Sequence, residues 1–126
     1  MSAGITHMYK ENGIHHIVWH DVDPATIETY LLLFREIMEN YPQNSILCIL
    51  HDYRNASTPS FGTLARGMKG LVVRDDVTLR IAHLYSEGLY PTIVKNATLV
   101  ARFNANRKFF NADEEDRAIA WLLDLN

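Results

Sequence analysis

The side chains best suited to chemistry follow an apolar segment in the middle of the chain. Within the stretch 51–62 they offer a carboxylate, a guanidinium and several hydroxyls: Asp52, Arg54, Ser57, Thr58 and Ser60. Such groups are typical of loops that recognise a polar partner, and ligands of α/β proteins gather outside the carboxyl ends of parallel strands. We therefore predict that the turn 51–62 is the recognition surface, with these residues as the partner-binding set.

Ser60 has two interpretations, and Ser57 shares the second of them. At the start of a helix, the Ser60 hydroxyl would cap an unpaired backbone N–H and contribute on the order of 1 kcal/mol. As a phosphosite, Ser60 would place its phosphate at the positive end of the helix dipole, near Arg54 or Arg66. A cap is expected there whatever the function, so we favour the cap and keep Ser60 and Ser57 as candidate phosphosites.

Asp52 is open to two interpretations as well. As a functional residue it would present its charge to a partner. As a turn-initiating acid it would accept hydrogen bonds from backbone N–H groups two residues further along the chain. The chemistry of the loop suits both interpretations equally.

Histidines and acids at the predicted strand ends provide enough donors for a metal site: His20, Asp21, Asp23, His51 and Asp52. Two His and a carboxylate would suit Zn²⁺ or Fe²⁺. No local spacing such as His-Glu-x-x-His supports this, so a metal-dependent enzyme using His20 and His51 is the second alternative. The chain also lacks a Gly-x-Ser-x-Gly elbow and a glycine-rich phosphate loop. We therefore predict a non-enzymatic protein with no catalytic residue, metal or cofactor.

Aromatic residues on two predicted helices raise the alternative of a small-molecule carrier or sensor. Tyr30, Phe34 and Tyr41 on the first helix, with Trp121 on the last, could line an apolar pocket between helices and sheet. At helical spacing such residues more often form the core. We favour the core, and an apolar-ligand carrier or sensor is the first alternative function.

Composition restricts the class of protein. The chain has 126 residues, 48% of them hydrophobic, and a formal net charge of -3. This size fits a single domain over 1–126, and the charge offers no basic field for a nucleic acid. The single Cys48 lies in an apolar run and is predicted to be a buried core residue. We find no signal peptide and no apolar run of about 18 residues, and predict a cytoplasmic protein without membrane insertion, with a homodimer left open.

Hydrophobic periodicity predicts the element order β-β-α-β-α-β-α-β-α. The predicted strands are 5–10, 14–20, 45–50, 78–85 and 108–110. The predicted helices begin at Pro24 with Asp23 as cap, near Phe61, near Pro91, and after the capping-box pair Asn111 and Glu114. This alternation favours an α/β fold with a mixed, mainly parallel sheet of about five strands and flanking helices.

Three features together suggest a family. They are the element order, the strand end Ile49-Leu50-His51-Asp52 followed by Ser60-Phe61-Gly62 at a helix start, and the ending 109–122 with an acidic cap before an Ala-x-x-Trp-Leu helix. In these features nearly the whole chain resembles the STAS superfamily, the fold of bacterial anti-sigma factor antagonists, and is most similar to its SpoIIAA-like branch.

The resemblance implies a non-enzymatic bacterial regulatory module that binds a protein partner through the turn 51–62 and the second helix. Antagonists of this type carry Asp-Ser-Ser-Gly at the turn, and the serine before the glycine accepts phosphate. Here Ser60 matches the first serine, and Phe61 stands where the phosphoacceptor would be. Phosphoregulation is therefore not carried over to this chain.

Overall fold

The computed structural model describes residues 4–21, 23–56, 73–85 and 107–123. Its strands are β1 (Ile5–Tyr9), β2 (Ile14–Trp19), β3 (Ser45–Asp52), β4 (Val77–Tyr85) and β5 (Arg107–Asn111). Its helices are α1 (Pro24–Asn40) and α2 (Glu115–Leu123), and neither has the length and apolar character of a membrane span. The helices predicted to begin near Phe61 and Pro91 lie outside the described residues.

The strands form one sheet in the order β1-β2-β3-β4-β5. β1 and β2 are antiparallel and are joined by the turn at Asn12-Gly13, where Gly13 adopts a φ of 86°, as the Asn-Gly pair predicts. β2 pairs with β3, β3 with β4, and β4 with β5 in parallel. The predicted α/β class with a mixed sheet of five strands is confirmed.

Each face of the sheet carries its own buried core. Side chains alternate between the two faces of a strand, so the neighbouring residues Ile49 and Leu50 belong to different cores. We call the face packed against α1 the α1 face and the face packed against α2 the α2 face. Cys48 lies in the core of the α2 face, where its thiol donates to the Leu122 carbonyl at 3.3 Å. The predicted buried role of this thiol is confirmed.

The start of α1 differs from the prediction in one side chain. Pro24 occupies the first turn as predicted, and Asp23 occupies the N-cap position without a side-chain capping hydrogen bond. Asp21 lies beside this end of the helix, where its Oδ1 accepts the backbone N–H of Asp23 at 3.1 Å and the hydroxyl of Thr26. Asp23 therefore occupies the predicted N-cap position, and the prediction is wrong only in the side-chain hydrogen bond.

The start of α2 contains half of the predicted capping box. The Glu114 carboxylate accepts the backbone N–H of Asn111 at 2.8 Å. The Asn111 side chain accepts the N–H of Ala112 at 2.8 Å instead of that of Glu114, whose N–H donates to the Asn111 carbonyl. These bonds form a tight turn between β5 and α2 and fix the direction in which α2 leaves the sheet.

Candidate functional site

Asp52, the first residue of the predicted recognition surface, faces the α2 side of the sheet and is buried, with 3% of its surface exposed. Its Oδ2 lies 3.3 Å from His16 Nε2 and accepts from Arg54 Nη2 at 2.7 Å. Its Oδ1 accepts the Arg54 backbone N–H at 3.1 Å, which is the turn-initiating interaction proposed from the sequence. Burial raises the pKa of Asp52, but hydrogen bonds from His16 and Arg54 outweigh burial and hold that pKa below its usual range.

Arg54 connects the end of β3 to the start of α2. Besides Asp52, its Nη2 donates to Glu115 Oε1 at 2.5 Å, and its Nη1 donates to the Ala112 carbonyl at 3.3 Å. The hydrogen bonds to Asp52, the largest contribution, raise the pKa of Arg54 above its usual value. The guanidinium is therefore a permanent cation that bridges two carboxylates and anchors the first residues of the turn on α2.

The predicted partner-binding residues fall into two groups. Asp52 and Arg54 bind each other, and both their charges are engaged within the chain. Ser57, Thr58 and Ser60, together with the candidate phosphosites among them, lie outside the described residues. The partner-binding role of all of these residues stays a prediction.

The donors of the suggested metal site are divided between the two faces of the sheet. His51 faces α1, whereas the exposed His20 hydrogen-bonds Thr6 at 2.8 Å, and Thr6 pairs with Val18 on the α2 face. Across the described ranges, no group of three or more His, Cys, Asp or Glu side chains is arranged to hold a metal ion. The structure thus does not bring His20 and His51 together.

The four aromatic residues considered as a pocket lining are also divided. Tyr30 and Phe34 are buried in the core of the α1 face, and Tyr41 packs against that core. Trp121 packs on the α2 face, where the Arg80 guanidinium lies 4.3 Å from the centre of its ring. These side chains belong to two separate cores, as the favoured interpretation from the sequence predicts, and do not line one pocket.

A cluster of polar side chains, of which the sequence singled out only His51, lies on the α1 face near the carboxyl ends of β3 and β4. We call it the α1-face cluster, and its members are His51, His83, Tyr85 and Arg107. The sheet register pairs His51 with His83 and Ile81 with Arg107, so the cluster runs across three adjacent strands. His51, His83 and Tyr85 are each at most 2% exposed. Polar groups buried this deeply require hydrogen-bond partners.

His51 has a partner on each of its two nitrogens. Trp19 Nε1, which can only donate, lies 3.0 Å from His51 Nδ1, so Nδ1 accepts. Neutral His51 therefore carries its proton on Nε2, which lies 3.0 Å from the Tyr30 hydroxyl oxygen and donates to it. Both polar atoms of this imidazole are satisfied, and its tautomer is fixed by the tryptophan.

Among the described residues, His83 has a partner on only one nitrogen. Arg107 Nη1, also a donor only, lies 2.9 Å from His83 Nε2, so that nitrogen accepts. Neutral His83 must then carry its proton on Nδ1, and Nδ1 is buried without a hydrogen-bond partner in the described part of the chain. The arginine thus leaves the second nitrogen of His83 as a donor that has no partner among the described residues.

Two further atoms of the α1-face cluster are buried and unpaired among the described residues, namely the Tyr85 hydroxyl and Arg107 Nε. One more atom of this kind, Arg80 Nε, lies on the α2 face, where the rest of that guanidinium binds the Trp121 carbonyl and ring. An unpaired buried polar atom costs about 1–3 kcal/mol, so native proteins contain few. Three on neighbouring side chains mark the α1-face cluster as unusual.

The electrostatics of the cluster follow from burial and from one cation. Burial lowers the pKa of His51 to about 3, and the nearby Arg107 lowers it further. Burial and Arg107 also hold the pKa of His83 well below its usual value. Burial lowers the pKa of Arg107 itself, but a guanidinium stays protonated in proteins. The cluster therefore carries two neutral imidazoles beside one positive charge.

Aromatic rings surround these polar atoms. The ring of His83 stacks on that of Phe109 with centroids 5.0 Å apart, and Tyr53 stacks on Tyr85 at 4.9 Å. Tyr53 also stacks on Trp19 at 5.6 Å. The rings of neighbouring strands lie nearly parallel and form a flat aromatic layer on the α1 face, in which water cannot easily replace missing hydrogen bonds.

Two other histidines, His7 and His15, contact each other elsewhere on the α1 face. His7 Nε2 lies 2.9 Å from His15 Nδ1, and the two rings stack with centroids 5.1 Å apart. Burial lowers the pKa of His15 to about 4. The adjacent His16 is buried on the other face, so His15 and His16 point to opposite sides, as the strand alternation predicts.

Comparisons with known proteins give no match, whether with protein-family models, with curated proteins or with solved structures. The resemblance to the STAS superfamily therefore rests on the sequence features alone. A function for this chain is therefore argued from contacts within the chain, namely those of the α1-face cluster and those between Asp52 and Arg54.

Proposed function

We propose that this chain binds a small ligand at the α1-face cluster and acts as a carrier or sensor without catalysis. The observation that supports it best is the group of three buried atoms without hydrogen-bond partners among the described residues: His83 Nδ1, the Tyr85 hydroxyl and Arg107 Nε. Because each would destabilise the fold by about 1–3 kcal/mol, a ligand that completes their hydrogen bonds gives a physical reason for keeping them.

The position of the cluster favours the same proposal. Ligands of open α/β sheets bind beside the carboxyl ends of parallel strands. His51 and His83 lie in the last residues of β3 and β4, two parallel strands. Polar groups among apolar rings are the usual composition of small-molecule sites, where a few polar atoms set the orientation of the ligand.

The protonation of the histidines favours binding over acid–base catalysis. A general base works best when its pKa lies near the operating pH. Burial takes the pKa of His51 to about 3 and that of His83 well below its usual value, so neither imidazole accepts a proton easily near neutral pH. A fixed, neutral imidazole serves well as a hydrogen-bond donor to a ligand.

A thermal-shift screen of the purified chain against a metabolite and lipid panel tests this proposal. We expect at least one compound to raise the melting temperature of the wild type, because a ligand that binds only the folded state stabilises it by mass action. Tyr85→Phe removes one unpaired hydroxyl and should reduce that shift, while the exposed Asp113→Asn should leave it unchanged. A panel without any shift would contradict ligand binding.

The second candidate function is the one implied by the STAS resemblance, a bacterial regulatory module that binds a protein through the turn 51–62. The supporting observation is the bridge from Asp52 through Arg54 to Glu115, which anchors the start of the turn on α2. A rigid base of this kind suits a recognition loop. Under this proposal the residues after Arg54 make the contacts.

A pull-down with a variant of the exposed Asn55 tests the second candidate. Asp52→Lys would break the ion pair of a buried carboxylate and destabilise the fold, so it cannot separate binding from folding. Asn55→Arg combined with Ser60→Glu changes two residues of the turn and keeps the side chains of Asp52 and Arg54 as they are. Loss of a specific partner relative to the wild type and to Asp113→Asn would support the turn. Identical partner profiles for all three proteins would contradict it.

A further inference from the structure

We infer that the ligand of the α1-face cluster carries a carboxylate, held by Arg107, His83 and Tyr85, on an apolar body. This inference rests on the proposed ligand-binding function and names the chemical class of the ligand. It is carried by two properties of the cluster: the donor character of the atoms that lack partners among the described residues, and the charge of Arg107, which has no salt bridge among those residues.

The donor character follows from which atoms can only donate. Arg107 has no acceptor atom, so Nε can only donate. The same guanidinium occupies His83 Nε2 at 2.9 Å and leaves His83 Nδ1 as an N–H donor. Burial raises the pKa of Tyr85, so its hydroxyl keeps its proton and can donate too. Three unpaired donors on neighbouring side chains match a group that only accepts hydrogen bonds, and an ionised carboxylate is such a group.

The charge of the cluster points to the same class. Arg107 is positive, while His51 and His83 stay neutral because burial lowers the pKa of both. Each of the salt bridges found among the described residues involves other side chains, and none of them neutralises Arg107. Arg107 is partly buried, and a cation withdrawn from water to that extent is stabilised by a counter-charge. One monoanionic group neutralises a single arginine, whereas a phosphate dianion would leave a net negative charge among aromatic rings.

The surroundings of the cluster define the rest of the ligand. The rings of Tyr53, Tyr85 and Phe109 lie beside the polar atoms and supply an apolar, flat environment. Polar or charged groups beyond the carboxylate would lose their hydration there without compensation. The chemistry therefore fits a monocarboxylic acid with an aromatic or aliphatic body.

Calorimetric titration with two acids and their neutral amides tests the inference. The probes are benzoate and octanoate, with benzamide and octanamide as matched compounds that lack the charge. We expect the wild type to bind at least one acid at least tenfold more tightly than its amide. Inorganic phosphate, a charged group without an apolar body, should bind at least tenfold more weakly than that acid.

Two variants locate the binding in the structure. Tyr85→Phe and Arg107→Met should each weaken binding of the acid at least tenfold, with folding checked by circular dichroism. Arg80→Met is the matched control, since Arg80 is one position from Ile81, the register partner of Arg107, and faces α2. It should bind the acid as the wild type does. Tyr85→Phe keeps the packing of the ring, so it remains informative if Arg107→Met does not fold.

The outcomes separate this inference from the proposed function. Equal affinity for acids and amides, or tighter binding of phosphate, would overturn the carboxylate class while ligand binding stands. Acid binding that survives both Tyr85→Phe and Arg107→Met would overturn the assigned residues. If none of the probes binds, the carboxylate inference is overturned, and the thermal-shift screen decides separately whether any ligand binds.

Discussion

Arg107 donates a hydrogen bond to His83 across the β4–β5 pair, with 2.9 Å between Nη1 and Nε2. This contact decides the chemistry of the α1-face cluster, because it fixes the tautomer of His83 and places a positive charge beside it. It also leaves His83 Nδ1 as a donor without a partner among the described residues. The stability and the ligand preference of the chain should both depend on this contact and on the buried contacts around it.

Two tyrosine-to-phenylalanine substitutions distinguish a satisfied hydroxyl from an unpaired one. His51 donates to the Tyr30 hydroxyl at 3.0 Å, so Tyr30→Phe leaves a buried N–H unpaired and should lower the free energy of unfolding by about 1–3 kcal/mol. The Tyr85 hydroxyl has no partner in the described part of the chain, so Tyr85→Phe should leave the ligand-free stability unchanged or raise it by about 1 kcal/mol. Urea denaturation of the ligand-free proteins measures both. A larger loss in Tyr85→Phe than in Tyr30→Phe would show that the Tyr85 hydroxyl has a partner.

The buried carboxylate of Asp52 should be critical for stability. Asp52→Asn removes one of the two counter-charges of Arg54 and a charged partner of His16, and should destabilise the chain by about 3 kcal/mol. The same exchange at the exposed Asp113 is the control and should cost less than about 0.5 kcal/mol. Chemical denaturation of both variants at pH 7 gives the comparison. Equal stability of the two variants would show that the buried pair contributes nothing.

Neutral buried histidines make stability depend on pH in a defined direction. The pKa of His51 is about 3 in the folded chain, against 6.5 for the free side chain. Between these values the unfolded chain binds more protons, so the free energy of unfolding falls as the pH falls. From pH 7 to pH 5 we expect a loss of about 2 kcal/mol from His51, and a further loss from His83, whose pKa is also lowered by burial.

Urea denaturation at pH 7 and at pH 5 measures this loss. His51→Gln should lose less stability than the wild type over that interval, because one of the responsible imidazoles is gone. The exposed His20 serves as control, and His20→Gln should lose as much as the wild type. Stability that is independent of pH over this range would contradict the neutral state of both buried imidazoles.

Two glycines with positive φ should differ in their tolerance of alanine. Gly13 has a φ of 86° and open space where an added Cβ would lie, so Gly13→Ala should cost only the backbone strain, about 1–2 kcal/mol. Gly4 has a φ of 66°, and a Cβ there would overlap the Thr26 hydroxyl and the Asp21 carboxylate. Gly4→Ala should therefore be clearly the more destabilising of the two, as thermal denaturation would show. The reverse order would contradict the close packing of Gly4 against the start of α1.

The fold was predictable where local patterns decide the structure. The spacing of Tyr30, Phe34 and Met38 matches one face of a helix, and all three are buried in α1. Asn12-Gly13 marks the hairpin, and the short apolar run before Asp52 forms a central strand. In each case neighbouring residues contain the whole signal.

The α1-face cluster could not be predicted in the same way. The alternation in β4 places His83 and Tyr85 on one side of the strand, which is a weak signal for a shared face. Their contact with Arg107 depends on the register between β4 and β5, which sequence spacing does not determine. The contacts of the buried Asp52 likewise depend on a distant residue. Arg54 bridges Asp52 to Glu115, which lies 61 residues beyond Arg54 in the chain. Tertiary contacts of this range leave no local pattern.

Native mass spectrometry of gently purified protein tests ligand binding at the α1-face cluster most directly. We predict that the wild type and Arg80→Met carry a bound small molecule above the mass of the chain, because their clusters are intact. Arg107→Met should show the mass of the chain alone, since the variant lacks the cation and the donor to His83. A wild type at the bare chain mass, or an adduct retained by Arg107→Met, would contradict the proposed site.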